Sequence, residues 1–430
     1  MKRLLYLGEL TLTNHDTLVS PKLRLLRQEL DGGNMDALEA FWQEVASQGT
    51  PLIEPIEGDQ TQSLVTFLWR ADRELNGVAV ISLLTGLVDN KLTRMLDTDL
   101  WYGTWKAAND LRATYQFEPI DPEVQPVDEE DMLARFSRYR HDPLNPLTFV
   151  FERDEEDPSG FELIRSVLEL PEAVSQAWIE PRDEVPKGKV ELHRFRSEIL
   201  NNERRVWVYT PPGYSTDENE PYGMVVLFDG LAYVDYVPTP TILDNMIDAD
   251  LVPPMVAVFP DSLDMETRIR ELVLHSPFND FLVKELVPWV RANFHVSDNP
   301  KNVVVGGSSA GGLAAAFAAL EHPEVFGNVL SQSGAFSFSR PGEEGHEWLT
   351  RQFAAREKLP LRFHLDAGSL ETKSLRPMGD APNLILANRN LRDTLKEKGY
   401  NVRHHEFSGG HDYISWRGTF SDGLQYLIGR

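Results

Sequence analysis

The sequence predicts an α/β protein: a C-terminal three-layer α/β domain preceded by a small all-β domain with a short helical segment. Three observations carry that expectation. After about residue 190, short apolar runs alternate with helical periodicity. From about 60 to 160, short apolar runs recur with turn-prone Asn, Asp, Gly and Pro between them. Residues 154–190 are rich in Asp, Glu and Pro and show little periodicity, so they separate the two textures. The expected organisation is an N-terminal β-sandwich domain over 1–160, a linker over 161–189 and the α/β domain over 190–430.

Each element has its own signal. Leu23, Leu25, Leu26 and Leu30 form one helical stripe. Met35, Leu38, Phe41, Trp42 and Val45 form a second, with Asn34 as its expected cap. Leu64–Trp69, Val78–Leu83, Tyr115–Phe117 and Leu147–Phe151 read as strands of an immunoglobulin-like sandwich. In the C-terminal part, Val225–Phe228, Val256–Phe259 and Val303–Val305 are nearly continuous apolar runs. Such runs suit strands covered on both faces in a parallel sheet. Helical patterns lie between them at 278–294, 311–320 and 383–398.

Composition excludes several chemistries. The 430 residues contain no cysteine, which removes disulfides, thiolate nucleophiles and cysteine-based zinc sites. The formal net charge is −25, a surface that repels nucleic acid and anionic lipid. No apolar run reaches the roughly 18 residues of a membrane span. The start Met1-Lys2-Arg3 is basic, but Gly8 and Glu9 cut the following apolar stretch too short for a signal peptide. The expectation is a cytoplasmic protein with a small-molecule substrate and neither a nucleic-acid nor a membrane partner.

The chemistry centres on Val303-Val304-Val305-Gly306-Gly307-Ser308-Ser309-Ala310-Gly311-Gly312. Gly307, Ser309 and Gly311 form G-x-S-x-G between a β-run and an Ala-rich helix. That is the strand–turn–helix context of an α/β-hydrolase nucleophile elbow. The turn is tight enough that side chains at Gly307 and Gly311 are expected to clash. Ser309 is the candidate nucleophile, with Ser308 as the rival serine. The Ala310 N–H, at a helix N-terminus, is the first candidate oxyanion donor. A second is expected after the run 225–228, from the N–H of Gly230 or Leu231.

Chain order in such folds runs serine, acid, histidine. His411 follows a strand-like run and two glycines, which let a loop carry its imidazole over Ser309. Glu371 lies just beyond a strand end, where α/β sites are built; Asp366, Asp380 and Asp412 are its rivals. Arg268, Arg270, Lys373, Arg376 and Arg417 lie near these elements in sequence and are candidate anion contacts. Trp101 and Trp178 are candidates to stack on aromatic substrate groups.

The residues resemble the enterochelin esterase family, within the esterase D-like part of the α/β-hydrolase superfamily. The matching pieces are Leu227–Gly230, Thr267-Arg268 with Glu271-Leu272, Gly307–Gly312, Leu330–Gly334 and Gly409–Asp412 with Ser415–Arg417. In the N-terminal half they are Val65–Arg70, Thr98–Tyr102, Tyr115–Phe117 and Asp142–Pro146. The resemblance implies a cytoplasmic serine esterase that cuts the trilactone of a ferric catecholate siderophore. It implies Ser309, His411 and Glu371 as the triad and a β-sandwich that helps cover the substrate. No protein-bound metal or other cofactor is expected, since any iron arrives within the substrate. Leu231 departs from the family's polar residue after Asp-Gly, and the stretch from Glu371 to Asn388 is longer than usual. Two alternatives stay open: a general carboxylesterase or feruloyl-type carbohydrate esterase, and a non-catalytic binding protein with a hydrolase shell.

Overall fold

The computed structural model describes residues 18–86, 90–122, 137–156, 162–217, 220–340, 342–372 and 382–429. The chain divides into two units, one of 1–151 with 162–173 and one of 152–161 with 174–430.

The first unit opens with two helices. Helix Pro21–Asp31 starts where the Ser20 side chain accepts the Leu23 N–H, with proline at the first turn. It buries Leu23, Leu26 and Leu30, whereas Leu25, expected on the same stripe, is 65 % exposed. A helix at 100° per residue cannot turn both Leu25 and Leu23 inward along a narrow seam. Helix Asp36–Gln48 buries Phe41, Trp42 and Val45. Its cap is Met35 rather than the expected Asn34, whose amide instead donates to Glu29 at 2.8 Å.

Eight strands follow: β1 (Leu52–Ile56), β2 (Asp59–Arg70), β3 (Gly77–Ile81), β4 (Thr93–Arg94), β5 (Leu100–Ala108), β6 (Arg112–Ile120), β7 (Thr148–Phe151) and β8 (Leu163–Glu169). They form two four-stranded antiparallel sheets, ordered β1-β2-β5-β4 and β3-β6-β8-β7. Aromatic pairs join the sheets face to face, with Phe67 and Tyr115 centroids 4.8 Å apart and Trp69 and Phe117 5.2 Å apart. Asp142 and Asn145 bracket the buried Tyr115 hydroxyl at 2.8 and 3.0 Å, a structural role for the Asp142–Pro146 stretch. Strand β8 falls inside the segment 161–189 expected to be a linker. Its short apolar run is enough to pair with β6, opposing Val167 to Thr114.

The second unit is built on β9 (Lys189–Ser197), β10 (Asn202–Thr210), β11 (Gly223–Leu227), β12 (Met255–Pro260), β13 (Val303–Ser308), β14 (Asn328–Gln332), β15 (Arg362–Gly368) and β16 (Asn401–Phe407). They form one sheet, ordered β16-β15-β14-β13-β11-β12-β10-β9. From β12 to β16 all neighbours are parallel, and β10 runs antiparallel to both of its neighbours. Successive residues of one strand feed separate cores: Val303 and Val305 join Leu313, Phe317 and Phe363, whereas Val304 joins Ile242, Phe420 and Leu424. Helices therefore cover both faces, which explains why these strands read as continuous apolar runs. β12 and β13 flank β11 on opposite sides, so the chain changes direction across the sheet there. A crevice at that switch point is where α/β sites form. Among the described residues, no helix is long and apolar enough to cross a membrane.

Candidate active site

The elbow is encoded in the backbone. β13 ends at Ser308, and helix Ala310–Glu321 begins two residues later. Ser309 bridges them at φ 58° and ψ −119°, a left-handed strain that persists only where the surroundings enforce it. Enforcement comes from its N–H, which donates to the Gln332 carbonyl at 2.8 Å, and from its carbonyl, which accepts the Ala335 N–H at 2.9 Å. A Cβ at Gly307 would lie 2.8 Å from the backbone carbon of Gly311. The expected clash at Gly311 is absent, because a Cβ there would meet the Asp229 carboxylate at 3.4 Å and the Phe228 Cβ at 3.6 Å, both ordinary contacts. The close approach falls instead on Gly312, 2.5 Å from Ser331 Oγ. Ser308 is fully buried, whereas Ser309 is partly exposed and its side chain makes no capping bond.

The candidate acid and base lie beyond the ends of β15 and β16. Their loops are zippered: Ser369 N–H donates to the Phe407 carbonyl at 2.9 Å, and Leu370 N–H to the Gly409 carbonyl at 3.0 Å. Gly368 allows this, since a Cβ would sit 2.6 Å from the Gly409 oxygen. The result places the buried Glu371 Oε1 3.0 Å from His411 Nδ1. A carboxylate accepting the Nδ1 proton leaves Nε2 as the basic nitrogen. Asp366 stands inside β15, where it accepts the Ser333 N–H at 3.2 Å. Burial pushes its pKa up to about 7 and the nearby Glu371 adds to this. Asp412 caps helix Tyr413–Ile428 through the Ser415 N–H at 3.0 Å. Asp380 lies outside the described residues.

At the end of β11, Asp229 takes a left-handed φ of 60° and helix Gly230–Asp235 follows. A Cβ at Gly230 would lie 2.4 Å from the Phe259 carbonyl, so only glycine fits. The Leu231 N–H faces Asp261, a carboxyl whose pKa burial raises and Arg205 and that N–H help lower. Gly230 and Leu231, the two positions expected to offer the second oxyanion donor, both lie at the start of this helix. Ala310 opens the elbow helix, where the first N–H groups have no partner within the helix.

The structure redistributes the candidate anion contacts. Arg268 makes a two-pronged ion pair with Asp229, Nε to Oδ1 and Nη2 to Oδ2 at 2.7 Å each. Burial opposes the guanidinium charge, but Asp229 outweighs it and raises the pKa. The Arg268 charge is therefore already matched within the protein. Arg270 is exposed and donates to Thr267 Oγ1 at 3.0 Å. Arg417 donates to Gln176 Oε1 at 2.7 Å. Trp101 stands on β5 of the first unit, opposite Trp69 and Arg94. Trp178 packs on the second unit's core, with its carbonyl bonded by Asn245. Lys373 and Arg376 lie outside the described residues.

Two residues beside the candidate triad received no role from the sequence. Trp416 sets its ring edge-on to His411, centroids 4.9 Å apart at 84°. Gln332 holds the Ser309 backbone. Both lie in stretches that matched the resemblance, the one signal pointing to them.

Fold and site geometry together fit an esterase, and the comparisons agree. Residues 197–427 match the family described as "Putative esterase", and residues 64–179 match "Enterochelin esterase, N-terminal". The chain is a carboxylic ester hydrolase with an α/β-hydrolase-like fold and a β-rich N-terminal domain. An iron(III) enterobactin esterase of Dickeya dadantii is 31 % identical over 91 % of this chain and 93 % of its own. The Escherichia coli K12 iron(III) enterobactin esterase is 29 % identical, over 90 % of this chain and 95 % of its own. The enterobactin esterase of Shigella flexneri, solved in the presence of enterobactin, superposes with a TM-score of 0.71 at 29 % identity, covering 90 % of this chain and 97 % of that one. This chain belongs to the iron(III) enterobactin esterase family.

Proposed function

We propose that this protein hydrolyses the trilactone esters of a ferric catecholate siderophore in the cytoplasm, with Ser309 as nucleophile, His411 as base and Glu371 as acid. The observation that carries this reading is the 3.0 Å His411–Glu371 pair, in a chain matched along both units by iron(III) enterobactin esterases. The strained Ser309 elbow supports it.

In the first step His411 Nε2 takes the Ser309 proton as Oγ bonds to a lactone carbonyl carbon. Negative charge moves to the carbonyl oxygen, which the N–H groups of Ala310 and Gly230 receive. The tetrahedral centre collapses, the ring C–O bond breaks, and His411 returns its proton to the departing alkoxide. Water then attacks the acyl-serine, with His411 as base again, and the acid leaves. Glu371 keeps the imidazole in one tautomer and stabilises its cation. Iron enters and departs as part of the substrate.

The two units are read as two domains, the first an immunoglobulin-like sandwich, since its two antiparallel sheets share an aromatic core. A broader carboxylesterase is the second reading, favoured by the neutralised Arg268 and the apolar Leu231 near Gly230. Purified protein and Ser309→Ala, incubated with ferric and iron-free trilactones, separate the two by mass spectrometry. Stepwise ring opening absent from the variant is the expected result. An inert trilactone beside rapid turnover of p-nitrophenyl acetate would replace the first reading with the second.

A further inference from the structure

Beneath the site, one buried polar residue links the strand end that holds Ser309 to the helix that follows His411. Gln332 is the last residue of β14 and is fully buried. Its backbone carbonyl holds the Ser309 N–H at 2.8 Å. Its side-chain Nε2 donates to the Trp416 carbonyl at 2.9 Å and to Thr419 Oγ1 at 2.7 Å. Its Oε1 accepts the Tyr233 hydroxyl at 2.9 Å. Trp416 in turn packs its ring edge on His411. The Trp416 indole N–H reaches Ser333 Oγ at 2.9 Å, and Ser333 sits at φ 50° with its N–H on the Asp366 carbonyl.

A buried amide is costly unless its hydrogen bonds are made, and both donor bonds and the acceptor bond are filled here. An apolar side chain of equal volume would fill the space. It would not fix how helix Tyr413–Ile428 is rotated or shifted along its axis, because apolar contact is non-directional. The Trp416 carbonyl belongs to that helix's first turn, next to the loop bearing His411.

We infer that Gln332 is a positioning residue: its amide sets the placement of His411 relative to Ser309 by tying the histidine-bearing helix to the strand end that holds the nucleophile. The inference rests on Ser309 and His411 being nucleophile and base. A displaced base slows proton transfer while leaving substrate contacts in place, so kcat should fall and KM should not.

The test uses Gln332→Met and Thr419→Val, singly and together, beside wild type and Ser309→Ala. Each protein is titrated for active sites, so that unfolded material does not enter kcat. Gln332→Met is expected to lower kcat about 30- to 100-fold with KM within about twofold, on both the trilactone and p-nitrophenyl acetate. Thr419→Val removes one partner and should cost about three- to tenfold. The double variant should match Gln332→Met, because both act through one clamp. Fluorophosphonate labelling should slow in proportion. A Gln332→Met protein with lower Tm but wild-type kcat per active site would overturn the inference, as would a raised KM with kcat intact. If Gln332→Met does not fold, Thr419→Val decides: an unchanged kcat and labelling rate overturn it. Activity surviving Ser309→Ala would instead remove the nucleophile reading, and the positioning role with it.

Discussion

The proposed nucleophile and the proposed acid–base pair are held by opposite means. At the elbow the backbone does everything: Gly307 and Gly312 permit close contacts, and two main-chain hydrogen bonds lock Ser309 in a left-handed conformation. At the ends of β15 and β16 side chains do the work: Glu371 fixes the imidazole, Trp416 backs it, and Asp366 and Gln332 lie beneath. The difference teaches where each part is vulnerable. A backbone-built site fails sterically and all at once. A side-chain-built site fails by degrees, one hydrogen bond or one charge at a time.

The largest effect that separates the two regimes is expected at Glu371. Glu371→Gln leaves the fold intact but offers an amide N–H to Nδ1, which favours the wrong tautomer. The kcat should fall on the order of 10³-fold, with KM little changed. Steady-state kinetics on the trilactone measure this. A loss below about tenfold would pass the acid role to another carboxylate.

The carboxylate beneath it predicts a pH effect on stability. Burial raises the folded pKa of Asp366 to about 7, from the ordinary 3.8 of an aspartate. The folded state therefore holds a proton that the unfolded state releases, and stability falls as pH rises from about 4 to about 7. His364, in the same strand, has the opposite sign. Burial lowers its pKa to about 3 from 6.5, with Arg403, His405 and His404 adding to this, so stability falls as pH drops from about 6.5 to about 3. The imidazole and the carboxyl lie 3.9 Å apart, His364 Nε2 to Asp366 Oδ2. Asp366→Asn removes only the first effect. Its advantage over wild type in urea denaturation should grow from pH 4 to 8, towards about 4 kcal/mol. A constant difference across that range would show that Asp366 does not titrate there.

At the elbow the matching test is steric. Gly307→Ala forces a methyl into backbone and should destabilise the protein by about 1–3 kcal/mol or prevent folding. Gly311→Ala meets only side-chain atoms of Asp229 and Phe228 at ordinary contact distance and should stay within about 1 kcal/mol of wild type. Denaturation midpoints compare them directly, and equal costs would contradict the asymmetry.

That asymmetry also shows what a sequence discloses. The elbow was legible because its cause is contiguous: strand, glycine, serine, glycine and helix lie within a dozen residues. His411 and Glu371 were legible through chain order and loop position, which are properties of the chain. The polar partners were not. Gln332 reads as one more strand residue until β14 and helix Tyr413–Ile428 are placed side by side. The strand β8 hid in a segment whose acidic composition resembled a linker. Leu25 matched an apolar stripe yet faces solvent, because a residue type does not state which side of the seam it occupies.

Arg268 is the sharpest case: sequence marked it as a candidate anion contact, and the structure pairs it with a carboxylate of the protein. Its position near the site suggested a cation for an anionic substrate. The structure spends that charge on Asp229, 39 positions away, a pairing that no local pattern announces. Asp229 is left-handed, immediately precedes Gly230, and also accepts the Ser262 hydroxyl at 2.7 Å. The ion pair thus braces the turn proposed to supply the second oxyanion donor. Arg268→Lys keeps a positive charge but cannot form the planar two-pronged contact. If bracing is the role, kcat should drop about tenfold on a neutral aryl ester and on the anionic trilactone alike, with KM nearly constant. If the guanidinium instead meets substrate, KM should rise for the trilactone alone. Parallel kinetics on the two substrates decide between a side chain that shapes the backbone and one that binds the ligand.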